Sequence, residues 1–125
     1  MISRMASCVC GELNVCATGE PIKVSACHCL ACQKRTGSAF SVAVFFPREN
    51  VETSGGSKTY RRVGDSGLPV DFSFCPNCGS TVFWLPAFRP EWIGVALGCF
   101  SDRAISPTQN VYEEWRRPWV QIAIP

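Results

Sequence analysis

Long apolar runs are missing from this sequence. None approaches the roughly 18–20 residues that a membrane-spanning helix needs, so no transmembrane segment and no membrane partner are expected. Charge of one sign is missing as well. Twelve Lys and Arg face ten Asp and Glu, a net +2 over 125 residues. That surplus gives no electrostatic ground for nucleic acid as a partner. Met1 to Ser7 carries no apolar segment of the kind a secretory leader needs. Internal repeats and low-complexity tracts are absent, and helical periodicity is confined to one stretch, Leu30 to Thr36. Pro86, Pro90, Pro107 and Pro118 interrupt any longer helix. Histidine occurs once, at His28. What remains is a chain long enough for one modest core, expected in the cytoplasm.

Cysteine is abundant, and it is odd in number: nine residues. Without an export signal, an odd count argues for metal ligation over a disulfide framework. Seven of the nine form three tight clusters: Cys8-Val9-Cys10-Gly11, Cys27-His28-Cys29-Leu30-Ala31-Cys32 and Cys75-Pro76-Asn77-Cys78-Gly79. Thiolates one or two residues apart converge readily on one zinc ion, which takes sulfur at about 2.3 Å in a tetrahedron. Four ligands close a structural site, whereas three leave a position open for water or substrate.

The first and third clusters both end in Cys-Gly, and glycine accepts the positive φ that a sharp turn under an ion often needs. They suit a four-thiolate site from Cys8, Cys10, Cys75 and Cys78. The second cluster has no such glycine, and Cys27, Cys29 and Cys32 suit three corners of a second site. A zinc-ribbon pairing of Cys29 and Cys32 with Cys75 and Cys78 is the alternative; it strands Cys8, Cys10 and Cys27. His28 alternates with its cysteine neighbours on an extended stretch and reads as a packing or hydrogen-bonding side chain beside the site, with a ligand or proton-transfer role as the alternative. Cys16 and Cys99, amid apolar residues, read as small buried hydrophobes.

Elsewhere the pattern is of short strands with Gly and Pro punctuation. Leu13 to Thr18 and Ile22 to Ala26 flank Gly19-Glu20-Pro21 and read as a hairpin. Further strands are expected at Phe40 to Phe46, Lys58 to Val63 (an edge), Ile93 to Phe100 and Trp119 to Ile124, and less firmly at Val111 to Trp115. Val70 to Phe74 and Thr81 to Leu85 read as a hairpin with a metal knuckle at its tip. The fold class is all-β with little helix, a size at which a metal staple is a common source of stability.

With these residues in hand, the chain resembles the glutathione-dependent formaldehyde-activating family, which also includes centromere protein V. The match comprises C-x-C-G at Cys8 to Gly11, C-H-C-x-x-C at Cys27 to Cys32, Gly37-Ser38, F-C-x-x-C-G-S at Phe74 to Ser80, and Pro118-Trp119. The resemblance implies one zinc-stapled domain of β-tent fold over residues 1–125 with two zinc ions. It assigns Cys8, Cys10, Cys75 and Cys78 to a structural ion, and Cys27, Cys29 and Cys32 to a catalytic one. It also implies a carbon–sulfur lyase that forms or cleaves an adduct between a glutathione-like thiol and a small aldehyde such as formaldehyde, the thiol held as thiolate on the three-cysteine zinc. Of a pair of acidic residues that relatives often carry after Gly98, only Asp102 remains, and the C-terminus is short.

A glutathione-like thiol needs cations for its carboxylates, and Lys34, Arg35, Arg61 and Arg62 are the candidates. Trp84, Phe88 and Trp92 are candidates for pocket walls, although core packing is the commoner role of such residues. The competing reading is a non-catalytic zinc scaffold or protein-interaction module of the same fold.

Overall fold

Apolar side chains on alternate positions give two different faces to the same strands, and this places the core. In the computed structural model, which describes residues 1–125, the elements are β1 (Ser3–Ser7), β2 (Asn14–Thr18), β3 (Lys23–Cys27), α1 (Leu30–Thr36), β4 (Ser41–Pro47), β5 (Val51–Ser54), β6 (Lys58–Val63), β7 (Pro69–Phe74), β8 (Thr81–Pro86), β9 (Trp92–Ala96) and β10 (Gln109–Val111). One sheet has the order β1-β2-β5 and the other β10-β3-β4-β9-β8-β7-β6. All neighbours are antiparallel except β10 and β3. The all-β class with a single short helix is as expected.

Val24, Val44 and Val95 stand side by side across β3, β4 and β9, with Phe46 beside Ile93. They pack against Ala6, Leu13, Val15 and Ala17 of the small sheet, which makes the main core. Each such burial contributes roughly 1.5–3 kcal/mol for the larger side chains. The opposite face of the large sheet carries a second cluster of Ala43, Phe45, Val70, Phe72 and Trp84. Gly94 is what permits it. A Cβ there would sit 2.2 Å from Trp84 Nε1, so only glycine lets the indole lie across β9.

Several strand expectations shift. The residues read as a β2–β3 hairpin lie in different sheets, because the backbone groups of the intended turn are claimed elsewhere. Gly19 donates to Ile2 of the β1 side at 2.8 Å, and Ile22 donates to Phe45 of β4 at 2.7 Å. The strand expected at Trp119 to Ile124 does not form. Arg116 Nη1 donates to the Val120 carbonyl and the Val120 N–H to Arg117 O, so local bonds use the groups a ladder needs. Ile93 to Phe100 is a strand only to Ala96 and then turns as a 3₁₀ segment, Leu97–Cys99. Val111 to Trp115 is likewise a strand end followed by a 3₁₀ turn, after Tyr112 takes a left-handed φ of 56°. Strands β1 and β5, short and half polar, carry too little alternation to be read in advance. The β7–β8 hairpin and the β6 edge are where expected.

Candidate metal centres

Two groups of cysteines form, four at one end of the main core and three at the start of α1. Cys8 and Cys10 follow β1; Cys75 and Cys78 occupy the turn between β7 and β8. Their four sulfurs all lie within 4.8 Å of one another, with Cys8 to Cys10 and Cys10 to Cys75 both 3.6 Å. Metal–sulfur bonds of about 2.3 Å in a tetrahedron put sulfurs about 3.8 Å apart, so the spacing and the soft donor set fit a zinc-sized ion. Gly11 and Gly79 turn the chain under the sulfurs with φ of 83° and 80°. The ribbon pairing of Cys75 and Cys78 with Cys29 and Cys32 is overturned, since the folded chain sends the β7–β8 turn to Cys8 and Cys10.

Polar groups already point at this quartet. Leu13 N–H donates to Cys8 Sγ at 3.2 Å, and Cys78 Sγ lies 3.3 Å from Ser80 Oγ. Ser80 Oγ in turn accepts from Val9 N–H at 3.2 Å. The Ser80 hydroxyl, followed by backbone N–H groups, brings Cys78 down to about 5, the thiolate form that a metal requires.

The second group gathers Cys27 at the end of β3 with Cys29 and Cys32 around the first turn of α1, again within 4.8 Å. Cys29 caps the helix, its Sγ accepting from Cys32 N–H at 3.3 Å. Gly37, at φ 65°, closes the helix after only two turns by donating to Gln33 O. Cys32 is brought down to about 5 by the Cys27 thiol, against the effect of burial, with Cys29, Arg35 and Arg62 adding to the lowering. Cys27 is pushed up correspondingly, by its bond to Cys32 and then by burial.

His28 does not join the three sulfurs. It is fully buried, with Nε2 2.9 Å from Asn110 Oδ1 and its ring 5.8 Å from that of Phe40. Its backbone N–H donates to Val111 O at 3.1 Å, continuing the β3–β10 pairing. Cys16 and Cys99 are half-buried free thiols outside both groups, less enclosed than expected.

The structure adds residues that no motif marked. Gln33, buried on α1, donates to His28 O at 2.8 Å and Trp115 O at 3.1 Å, and accepts from Arg117 Nε at 2.9 Å. It thereby fastens the C-terminal segment over the three-cysteine turn. Tyr112 reaches the same region from β10; Asp65 raises its phenol, with smaller effects from Cys27 and Cys29. Asp102 is absorbed by structure, paired with Arg4 at 3.1 Å and accepting from Ala104 N–H at 2.9 Å. Of the aromatic candidates, Trp84 is buried, Trp92 packs at the edge of its cluster, and Phe88 is 43% exposed. A cavity of about 470 Å³ is lined by Arg35, Thr36 and Ser41 and by Gly79, Ser80 and Thr81.

No curated protein sequence matches the chain significantly. A crystal structure of a Rhodobacter sphaeroides protein, a structural-genomics target, superposes with a TM-score of 0.60 at 19% identity, covering 82% of this chain and 91% of that one. At that identity the likeness speaks for the fold. The family model for the glutathione-dependent formaldehyde-activating enzyme matches residues 3–115, a span that contains all seven clustered cysteines. By that match over most of its length, and with its sulfurs gathered as four and three, the chain belongs to the glutathione-dependent formaldehyde-activating enzyme family.

Proposed function

We propose that residues 1–125 work as one domain, a zinc-dependent carbon–sulfur lyase that joins a glutathione-like thiol to a small aldehyde, or releases it. The observation that carries this reading is a cluster of only three sulfurs standing apart from a cluster of four. In it, Cys8, Cys10, Cys75 and Cys78 hold a structural zinc, and Cys27, Cys29 and Cys32 hold the catalytic one. A zinc ion held by these three sulfurs would supply a field that favours the thiolate form of an incoming thiol.

The protein's own groups do the rest. The neighbouring Cys27 thiol favours the thiolate form of Cys32, the form in which a metal would be held. The Cys32 N–H and the α1 cap keep Cys29 oriented. In the forward direction the thiol sulfur bonds to the carbonyl carbon and the thiol proton ends on the former carbonyl oxygen; the reverse reaction breaks that same C–S bond. His28 is held behind the turn by Asn110 through Nε2, while its Nδ1 is buried with no partner. The odd count of nine cysteines, seven of them at metal-ligand spacing, supports a reducing cytoplasm as the setting.

The test is a metal count by native mass spectrometry. Two zinc ions per chain are expected in wild type and one in Cys27→Ser, which also loses exchange between formaldehyde and its glutathione adduct followed by NMR. One zinc in fully reduced wild type overturns the enzymatic reading.

A further inference from the structure

Two arginines beside the three-cysteine site have no carboxylate partner, and the anionic groups facing Arg35 are the sulfurs of Cys32 and Cys27. Arg35 lies one helical turn, about 5 Å, beyond Cys32 on the same face of α1. Its guanidinium rests 4.7 Å from the ring centres of both Phe72 and Trp84. Arg62, on β6, covers the same Phe72 ring at 5.0 Å. Both guanidinium groups thus pack against the Phe72 ring. Arg35 Nη2 donates to Ser41 Oγ at 2.7 Å, but Arg35 Nε, Arg62 Nε and Arg62 Nη1 are buried with no partner.

No carboxylate of the chain answers them. The ion pairs are Arg4 with Glu20 and Asp102, and Arg61 with Asp71 in a two-pronged contact at 2.7 and 3.0 Å. Lys34, the other sequence candidate, is exposed. A guanidinium cannot shed its proton, and unpaired buried N–H donors are costly. With a divalent ion bound, the three thiolates would carry a single net negative charge, which would offset one guanidinium and leave the other.

We propose that Arg35 and Arg62 form an anion subsite that takes a carboxylate of the thiol substrate. The subsite selects acidic thiols whose carboxylate lies a few bonds from the sulfur, and rests on the reading of Cys27, Cys29 and Cys32 as the thiol-binding centre. Trp84 and Phe72 hold the two forks in place by their ring faces, and the planar guanidinium geometry suits a two-point carboxylate contact.

The test has one arm without any thiol. Sodium malonate is titrated into the zinc-loaded protein at constant ionic strength, with thermal melting as readout. A saturable rise in the melting midpoint is expected for wild type, lost in Arg62→Gln and partly kept in Arg62→Lys. No rise, or the same rise in all three, overturns the subsite whatever the enzyme does. The second arm compares glutathione with its diethyl ester by calorimetry on the wild type. Glutathione is expected to bind at least about tenfold more tightly, the scale of one charge-assisted hydrogen bond. Equal binding with a positive malonate arm removes the substrate assignment. Absence of lyase activity alongside two positive arms counts against the proposed reaction and leaves the subsite standing.

Discussion

At the scale of single residues, glycines do the work that no other side chain can. Gly79 sits at φ 80° directly after Cys78 in the turn from β7 to β8, with nothing within 4 Å of a would-be Cβ. Gly79→Ala therefore meets backbone strain but no clash, and is expected to cost about 1–2 kcal/mol. Urea unfolding checks the cost, and faster zinc loss to a chelator marks its site. Gly94 is the converse case, with an ordinary φ and no space. Gly94→Ala is expected to displace the Trp84 indole and cost about 1–3 kcal/mol, with a changed near-ultraviolet circular dichroism spectrum. The positive φ under each Cys-Gly knuckle was legible in the sequence. The close approach at Gly94 was not, since it depends on β8 and β9 lying side by side.

At the scale of elements, short ties between distant segments decide which strands stay in place. Gln33 bonds α1 to His28, Trp115 and Arg117. Gln33→Leu leaves a buried carbonyl without its donor and is expected to cost about 1–3 kcal/mol. Hydrogen exchange should rise in residues 109–117 and leave the β7–β8 hairpin protected. Arg4 on β1 holds Asp102 beyond β9, across 98 residues. The Ala104 N–H and then Arg4 keep the Asp102 carboxyl below its ordinary 3.8. A depressed carboxyl adds stability above its unfolded value and loses it as pH falls through the folded one. The melting midpoint of Asp102→Asn should thus lie below that of wild type at neutral pH, and the gap should close in a pH series run below about 4. The sequence showed the hairpin that carries Cys75 and Cys78, because its alternation and turn are local. It misled at Gly19-Glu20-Pro21, where two strands adjacent in sequence join different sheets.

At the scale of the whole molecule, the proposed division of roles gives the two cysteine groups unequal consequences for the fold. The quartet ties residues 8–10 to a turn more than sixty residues later, at the end of the main core. Structural zinc contributes roughly 10–16 kcal/mol in small peptides, as much as the entire stability of a typical domain. Cys78→Ser should therefore lose the cooperative melting transition, whereas Cys29→Ser should keep it with one metal fewer. Calorimetry with parallel metal analysis distinguishes the two, and equal collapse of both variants would contradict the division of roles.

Spacing and composition alone determined the all-β class and the seven clustered cysteines, because alternation and ligand spacing are local, and the knuckle glycines favoured pairing the first cluster with the third; the ribbon alternative fell only when the fold brought the β7–β8 turn to Cys8 and Cys10. Tertiary structure alone decided what surrounds the open trio. Arg35, Arg62, Trp84 and Phe72 come from four different elements and meet only because β6, β7 and β8 are neighbours under α1, and such long-range packing leaves no periodic trace in a chain.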